Sequence, residues 1–312
     1  MKSFTRRQFT RTAAAAIAGA AGLTIRTRAT SIEGVRVGAI SYCFRSIPRP
    51  ASGDYMDTLI DAFHETGIDL CELESARVEP EPAIPGGGRV PAVITPDYQK
   101  RREELRQWRL TTPLARFEEI RRKFRRARID LFGYVVTFSD DFTDAEIDRS
   151  FQFARALGVG VIGTNQTRVP MGPRLVAFAE KYGVVLGWHN HVNVTDATEV
   201  ASVESYERLF AMFPRFKANL DIGHFVAGNN DPVAFIQKHH ARISHLHLKD
   251  RRRDDGPNQP WGHGDTPVAE VLRLLRSDKY PIAAVIEYEY AGQQSAIEEV
   301  NTCKRFIEQV LA

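Results

Sequence analysis

Cysteine is scarce in this chain: three residues in 312, Cys43, Cys71 and Cys303, none in a C-x-x-C spacing. That excludes a disulfide framework and a thiolate zinc site. Cys43 and Cys71 sit in apolar strand-like runs and are expected to be buried free thiols. Excess charge is also lacking. The formal net charge is +3, but residues 1–29 hold six bases and no acid, so the remainder carries 3 − 6 = −3. That argues against a basic domain that tracks a nucleic-acid backbone, so no nucleic-acid partner is expected. No strand-like run is followed by G-x-G-x-x-G, which leaves a dinucleotide-binding open sheet without support. Beyond residue 25 no apolar run is long enough to span a bilayer. What remains, 43% hydrophobic and 26% charged residues, is an ordinary globular balance.

The N-terminus reads as an address. Thr5-Arg6-Arg7-Gln8-Phe9-Thr10-Arg11 precedes an apolar run from Ala13 to Ile25. A charged segment, a short Ala/Gly-rich segment and then polar residues make a secretory signal. The paired arginines followed by x-Phe resemble a twin-arginine signal. The expectation is a signal peptide over residues 1–29, one catalytic-size domain over 30–312, a periplasmic or cell-envelope location, and no stable membrane insertion after cleavage.

From residue 35 the chain alternates between short β-branched runs and longer stretches with i, i+3, i+4 apolar spacing. Strands are expected over 35–42, 68–75, 129–138, 159–165, 184–191, 216–225, 243–250 and 282–290, with a last helix at about 293–311. Gly67, Gly158 and Gly183 each stand between a helical run and a strand, where a helix-terminating glycine belongs. Thr143-Asp-Ala-Glu146 reads as a capping box. Eight such units predict an α/β fold of the (β/α)8 TIM-barrel class in a single domain. Two long loops, 76–94 and 251–266, follow the second and seventh strands, at the end where a barrel carries its active site. The basic run Arg121–Arg128 reads as the solvated face of an outer helix, with Phe117, Ile120, Phe124 and Ala127 on its buried side.

Polar residues at the strand ends are the anomaly. The fifth strand ends Trp188-His189-Asn190-His191, the sixth holds Asp221 and His224, the seventh His245, His247 and Lys249, and the eighth Glu287 and Glu289. The second contributes Glu72 and Glu74. Period-2 alternation puts the members of each set on one face. Four adjacent strands thus carry imidazole and carboxylate ligands toward one mouth, a donor set suited to Mn²⁺, Zn²⁺, Co²⁺ or Mg²⁺.

Asp221-Ile-Gly-His224, Arg242-Ile243 leading to His247-Leu-Lys249-Asp250, and Ile286-Glu287 resemble the sugar phosphate isomerase/epimerase superfamily. This is the xylose-isomerase-like TIM-barrel group that includes ketose 3-epimerases, inosose dehydratase and endonuclease IV. The resemblance covers residues 35 to 311. It implies one divalent metal ion and a carbohydrate or polyol substrate. Asp221, His247 and Glu287 match three family ligands. His189 stands where the family has its first Glu. Either His189 is the fourth ligand and a base, or the mechanism in which two glutamates move a proton on opposite faces of a carbon does not apply. Glu287, His189 and Lys249 are the expected catalytic residues. His191, His224, Glu72 and Trp261 are expected to contact substrate. Isomerisation, epimerisation and dehydration share the removal of a proton beside a carbonyl and stay open. So do an endonuclease IV-like phosphodiesterase and a non-catalytic sugar-binding barrel. Members of the group often dimerise, so a homodimer is an expectation.

Overall fold

A computed structural model of the chain describes residues 30–81 and 90–312. The expected signal peptide, residues 1–29, and residues 82–89 of the expected 76–94 loop lie outside the described residues. Eight strands form the frame: β1 (Val35–Ile40), β2 (Leu70–Glu74), β3 (Asp130–Val135), β4 (Val161–Thr164), β5 (Val185–His189), β6 (Phe216–Asp221), β7 (Ile243–Leu248) and β8 (Ala283–Ile286). Each pairs in parallel with the next, and β1 pairs with both β2 and β8, so the sheet closes on itself as a TIM barrel. Continuous apolar runs make this work, because a parallel sheet is covered on both faces. Val37, Ala39, Leu70, Ile162, Leu186, Leu220, Leu246 and Val285 are all wholly buried.

The outer layer comprises α1 (Tyr55–Thr66), α2 (Pro96–Thr111), α3 (Leu114–Arg126), α4 (Asp144–Leu157), α5 (Gly172–Tyr182), α6 (Val203–Met212), α7 (Ile222–Ala227), α8 (Pro232–His239), α9 (Val268–Ser277) and α10 (Ala296–Leu311). The glycine stops fall where the sequence places them: Gly67, Gly158 and Gly183 end α1, α4 and α5 with φ of 62°, 80° and 65°. The Thr143 hydroxyl and Glu146 carboxylate make the reciprocal bonds of a capping box at the start of α4. On α3, Phe117, Ile120 and Phe124 are buried. Its bases meet acids across the surface, as Lys123 does with Asp57 at 2.7 Å.

The strands stop short of their expected C-terminal ends, and this shapes the site. Ser41–Phe44 is a 3-10 turn rather than the tail of β1. His224 lies not on β6 but on α7, whose first turn is capped by the Asp221 carboxylate. Glu287 and Glu289 follow the last residue of β8. The 251–266 loop contains a small antiparallel ladder, Asp250–Arg251 against Asn258–Gln259. Among the described residues no helix is long and apolar enough to cross a membrane.

Candidate metal centre

β5, β6, β7 and β8 are consecutive in the barrel, and their registers bring four ligand-type side chains to one depth. Asp221 pairs with His247, and His247 with Val285, one residue short of the end of β8. His189 Nε2 lies 3.1 Å from His247 Nδ1. His247 Nδ1 lies 2.9 Å from Glu287 Oε2. His189 Nε2 is 3.7 Å from both Asp221 Oδ2 and Glu287 Oε2. One donor atom from each of the four residues lies within 4.8 Å of the others, and all four residues are buried.

These residues fit a divalent cation. Donors about 2.1 Å from a metal stand roughly 3.0 to 3.4 Å apart along the edges of an octahedron or tetrahedron. The observed separations of 2.9, 3.1 and 3.7 Å bracket that range. Asp221 Oδ2 and His189 Nδ1 are buried without a hydrogen-bond partner. Buried polar atoms rarely go without a hydrogen bond, and a bound cation would give the aspartate oxygen a direct partner beside the Lys249 ammonium 3.2 Å away.

A carboxylate behind the donors holds His247 in place. His247 Nε2 meets Glu72 Oε2 at 2.6 Å, and His245 Nε2 meets Glu72 Oε1 at 3.0 Å. Burial would lower the His247 pKa, but the charges of Glu72 and Glu287 push it up to about 10. Glu72 is wholly buried behind the donor histidine His247. That corrects the expectation of a substrate contact: its partners are histidines. Space for it comes from glycines, since a Cβ at Gly163 would stand 2.7 Å from Glu72 Oε1 and one at Gly133 3.1 Å from its Cγ.

Three further residues have positioning roles that the sequence does not announce. Asn190 accepts from the Asp221 N–H at 2.9 Å and donates to the Asp221 carbonyl at 3.1 Å, tying β5 to β6. Tyr206 donates its hydroxyl toward Asn190 Oδ1 at 2.9 Å and toward the carbonyl of Trp188 at 3.0 Å. The Cys43 thiol donates to the Ile286 carbonyl and accepts from the Tyr288 N–H, both at 3.2 Å, so it grips the backbone on either side of Glu287. The sequence offers Asn190 only as a neighbour of His189 and Cys43 only as a buried thiol, and it carries no signal for Tyr206.

Lys249 was expected to act on substrate. It is 2% exposed, with Nζ 3.2 Å from Asp221 Oδ2, 3.3 Å from Glu287 Oε2 and 2.6 Å from Glu289 Oε2. It lies behind the carboxylates as their counter-charge. Burial opposes its charged form, but Asp221 and Glu287 outweigh that and raise its pKa. His224 faces two cations: Lys249 Nζ stands 3.1 Å from Nε2, and Arg251 Nη1 donates to Nδ1 at 2.7 Å. Burial and the Lys249 charge hold it well below the usual imidazole range, so it is neutral. The ring of His191 lies 5.0 Å from those of His189 and His224.

A cavity of about 270 Å³ opens above the donors, and its walls include His189, His191, His224, His247, Glu287 and Glu289. Trp261 is not among them. Its ring packs edge-on against Phe306 of α10 at 5.8 Å, so it anchors its loop, contrary to the expected sugar contact. Arg251 and Arg252 are balanced by Asp255 and Asp265 at 3.1 and 3.0 Å.

Parts of the chain are similar to known proteins. Residues 173–306 match the family model described as "Xylose isomerase-like TIM barrel". An inosose dehydratase of Lactiplantibacillus plantarum is 27% identical over 153 residues, 43% of this chain and 50% of that protein. An inosose dehydratase of Clostridium beijerinckii is 32% identical over 83 residues, 26% of each chain. The chain therefore spans half or less of the length of these curated relatives. Among solved structures, the probable 3-DHS dehydratase AsbF of Bacillus anthracis superposes with a TM-score of 0.60 at 14% identity, over 86% of this chain and 98% of that one. The IOLI protein with a bound zinc atom gives 0.59 at 16% identity, over 88% and 97%. These structural likenesses concern the fold.

Proposed function

We propose that this chain is a divalent-metal-dependent enzyme that takes a proton from the carbon beside a carbonyl of a carbohydrate or polyol, in the isomerase, epimerase and dehydratase class. The observation that carries the reading is the set of four donors, His189, Asp221, His247 and Glu287, converging at the floor of a polar cavity. A cation held there would supply Lewis-acid polarisation of the substrate carbonyl.

The chain's own residues do the rest. The close contacts of Glu287 with His247, His189 and Lys249 all go to Oε2, which leaves Oε1 as the oxygen that takes the proton. Asn190 and Cys43 fix the backbone of Asp221 and of Glu287, so both carboxylates arrive pre-oriented. Half-buried His191 lines the wall as a hydrogen-bonding group for substrate hydroxyls, and the neutral His224 ring, its nitrogens turned to Lys249 and Arg251, forms part of the same wall. A second reading, dehydration of a keto-sugar, is favoured by His189: with no carboxylate there, the two-glutamate exchange across opposite faces lacks one partner. We place the enzyme in the cell envelope on the Arg6-Arg7 pattern of the N-terminus.

The test is solvent exchange. Metal-loaded protein is incubated with a panel of ketoses and inososes in D₂O, and deuterium uptake and new species are followed by NMR. Exchange is expected at the carbon beside the carbonyl, with about one metal ion per chain. Glu287→Gln and His189→Ala should lower the rate by about 100-fold or more. Bound metal with no exchange on any member of the panel would overturn the reading.

A further inference from the structure

A second cavity of about 330 Å³ adjoins the first, and Tyr42, Glu74, Val135 and Asn165 form walls of both. It lies between the C-terminal end of β2, with the one-turn helix Ser75–Val78, and the face of α2 that carries Arg102, Leu105 and Arg109. The metal-side cavity alone, at about 270 Å³, falls just under the size usual for a small-molecule site, about 300 to 1,000 Å³. The two together reach the middle of that range. The substrate space therefore has two compartments, one at the donors and one beyond Glu74.

The chemistry of the second compartment is specific. Its guanidinium groups are already neutralised. Arg77 pairs with Glu74 at 3.2 Å and Arg109 with Glu79 at 2.8 Å. Arg102 pairs with Asp141 at 2.8 Å and with Glu146 at 2.7 Å, and Arg101 with Asp97 at 2.9 Å. A phosphate or carboxylate entering there would meet glutamates as well as arginines and gain little net attraction. Fixed donors and acceptors with no net charge suit hydroxyl groups instead. Arg109 joins the same balance through its other nitrogen: it is buried, with Nη1 3.6 Å from Glu146 Oε1. Leu105 and Phe142 supply apolar wall for C–H faces.

We infer that the substrate is a neutral glycoside-like molecule: a keto-sugar unit at the donors, joined to a second sugar-sized, uncharged polyhydroxy unit between β2 and α2. This rests on the proposed function for the keto-sugar unit at the donors, while the second compartment stands on its own walls.

Two readouts separate the two claims. The probes are D-fructose, its glucosylated isomers trehalulose, turanose, maltulose, leucrose and isomaltulose, and D-fructose 6-phosphate, each added to the metal-loaded full-length protein. Saturation-transfer NMR on the glucosyl protons and titration calorimetry read the inference. Deuterium exchange at the fructosyl unit reads the proposed function. At least one glucosyl-fructose should bind more tightly than D-fructose and receive saturation on its glucosyl ring. Leu105→Trp and Ala76→Leu, which fill the second compartment, should each cut that preference by about tenfold. Their melting temperatures and metal content identify a variant that has failed to fold, and the other then carries the comparison. No glucosyl saturation with any isomer, an unchanged preference in folded variants, or tighter binding of D-fructose 6-phosphate than of every glucosyl-fructose would overturn the inference. Glucosyl binding without deuterium exchange would leave it standing and overturn the proposed function instead.

Discussion

Glu72 shows how much one side chain can govern without touching substrate. Its two oxygens engage His247 and His245 at 2.6 and 3.0 Å, which fixes the ring that presents Nδ1 to the other donors. Carboxylates placed behind a ligand histidine raise its basicity and set its orientation. Glu72→Gln keeps the shape and removes the charge. It should weaken divalent-metal binding by about 10- to 100-fold, measured by chelator competition, with the far-UV spectrum preserved. Unchanged affinity would mean that the packing around His247 orients the ring by itself. The sequence showed Glu72 and Glu74 on one face of a strand, since alternation is visible in residue types. It did not show depth. Alternation cannot tell how Glu72 stands against His247 and His245, because that depth depends on the stagger of neighbouring strands. The direction of Trp261 is hidden for a related reason: a loop aromatic beside the mouth looks the same in sequence whether it turns toward the cavity or toward Phe306.

At the level of elements, the legible features were those set by local chemistry. The capping box at Thr143 and the glycines that end α1, α4 and α5 follow from side-chain and backbone preferences within a few residues. Strand ends were less legible, because the hydrogen bonding that ends them comes from neighbours. Asp221 stops β6 by capping α7, and this carries His224 off the strand. The start of α4 also sets a pH response. Burial raises the Glu146 carboxyl, but hydrogen bonds from Arg102 and the Thr143 N–H outweigh that and hold its pKa at about 2, against 4.5 for a free glutamate. A depressed folded-state pKa contributes stability that is fully present above the unfolded value and is lost as pH falls toward the folded one. The α2–α4 contact should therefore lose about 3 kcal/mol between pH 4.5 and about 2, read from urea melts across that window. In Glu146→Gln this component of the acid dependence should vanish. If the acid limb kept its full depth, other carboxylates would be responsible.

At the scale of the whole molecule, the barrel was legible because eight β-branched runs and the helices between them repeat one pattern along the chain. The metal centre was legible for the same reason, as four successive units each end in a ligand-type residue. The two-compartment cavity was not. Its walls come from α2, from β2 and the turns after β1, β3 and β4, and from the ends of β5, β7 and β8, which only closure of the barrel brings together.

Closure also bears on the thiols. Cys43, Cys71 and Cys303 are free and buried, and burial pushes the Cys43 thiol up to about 12. A buried thiol with a raised pKa reacts with an alkylating agent only when its surroundings part. The molecule thus carries three clocks. Cys43 bonds across the β1–β8 seam, Cys71 lies in β2, and Cys303 sits on the outer helix α10. Under native conditions with iodoacetamide, mass spectrometry should find Cys303 modified first, as α10 lifts away at lower free-energy cost than parting the sheet. Cys43 and Cys71 should follow together, at the rate at which the ring of strands itself comes apart. Equal rates at all three would mean that the outer helix and the ring open as one body.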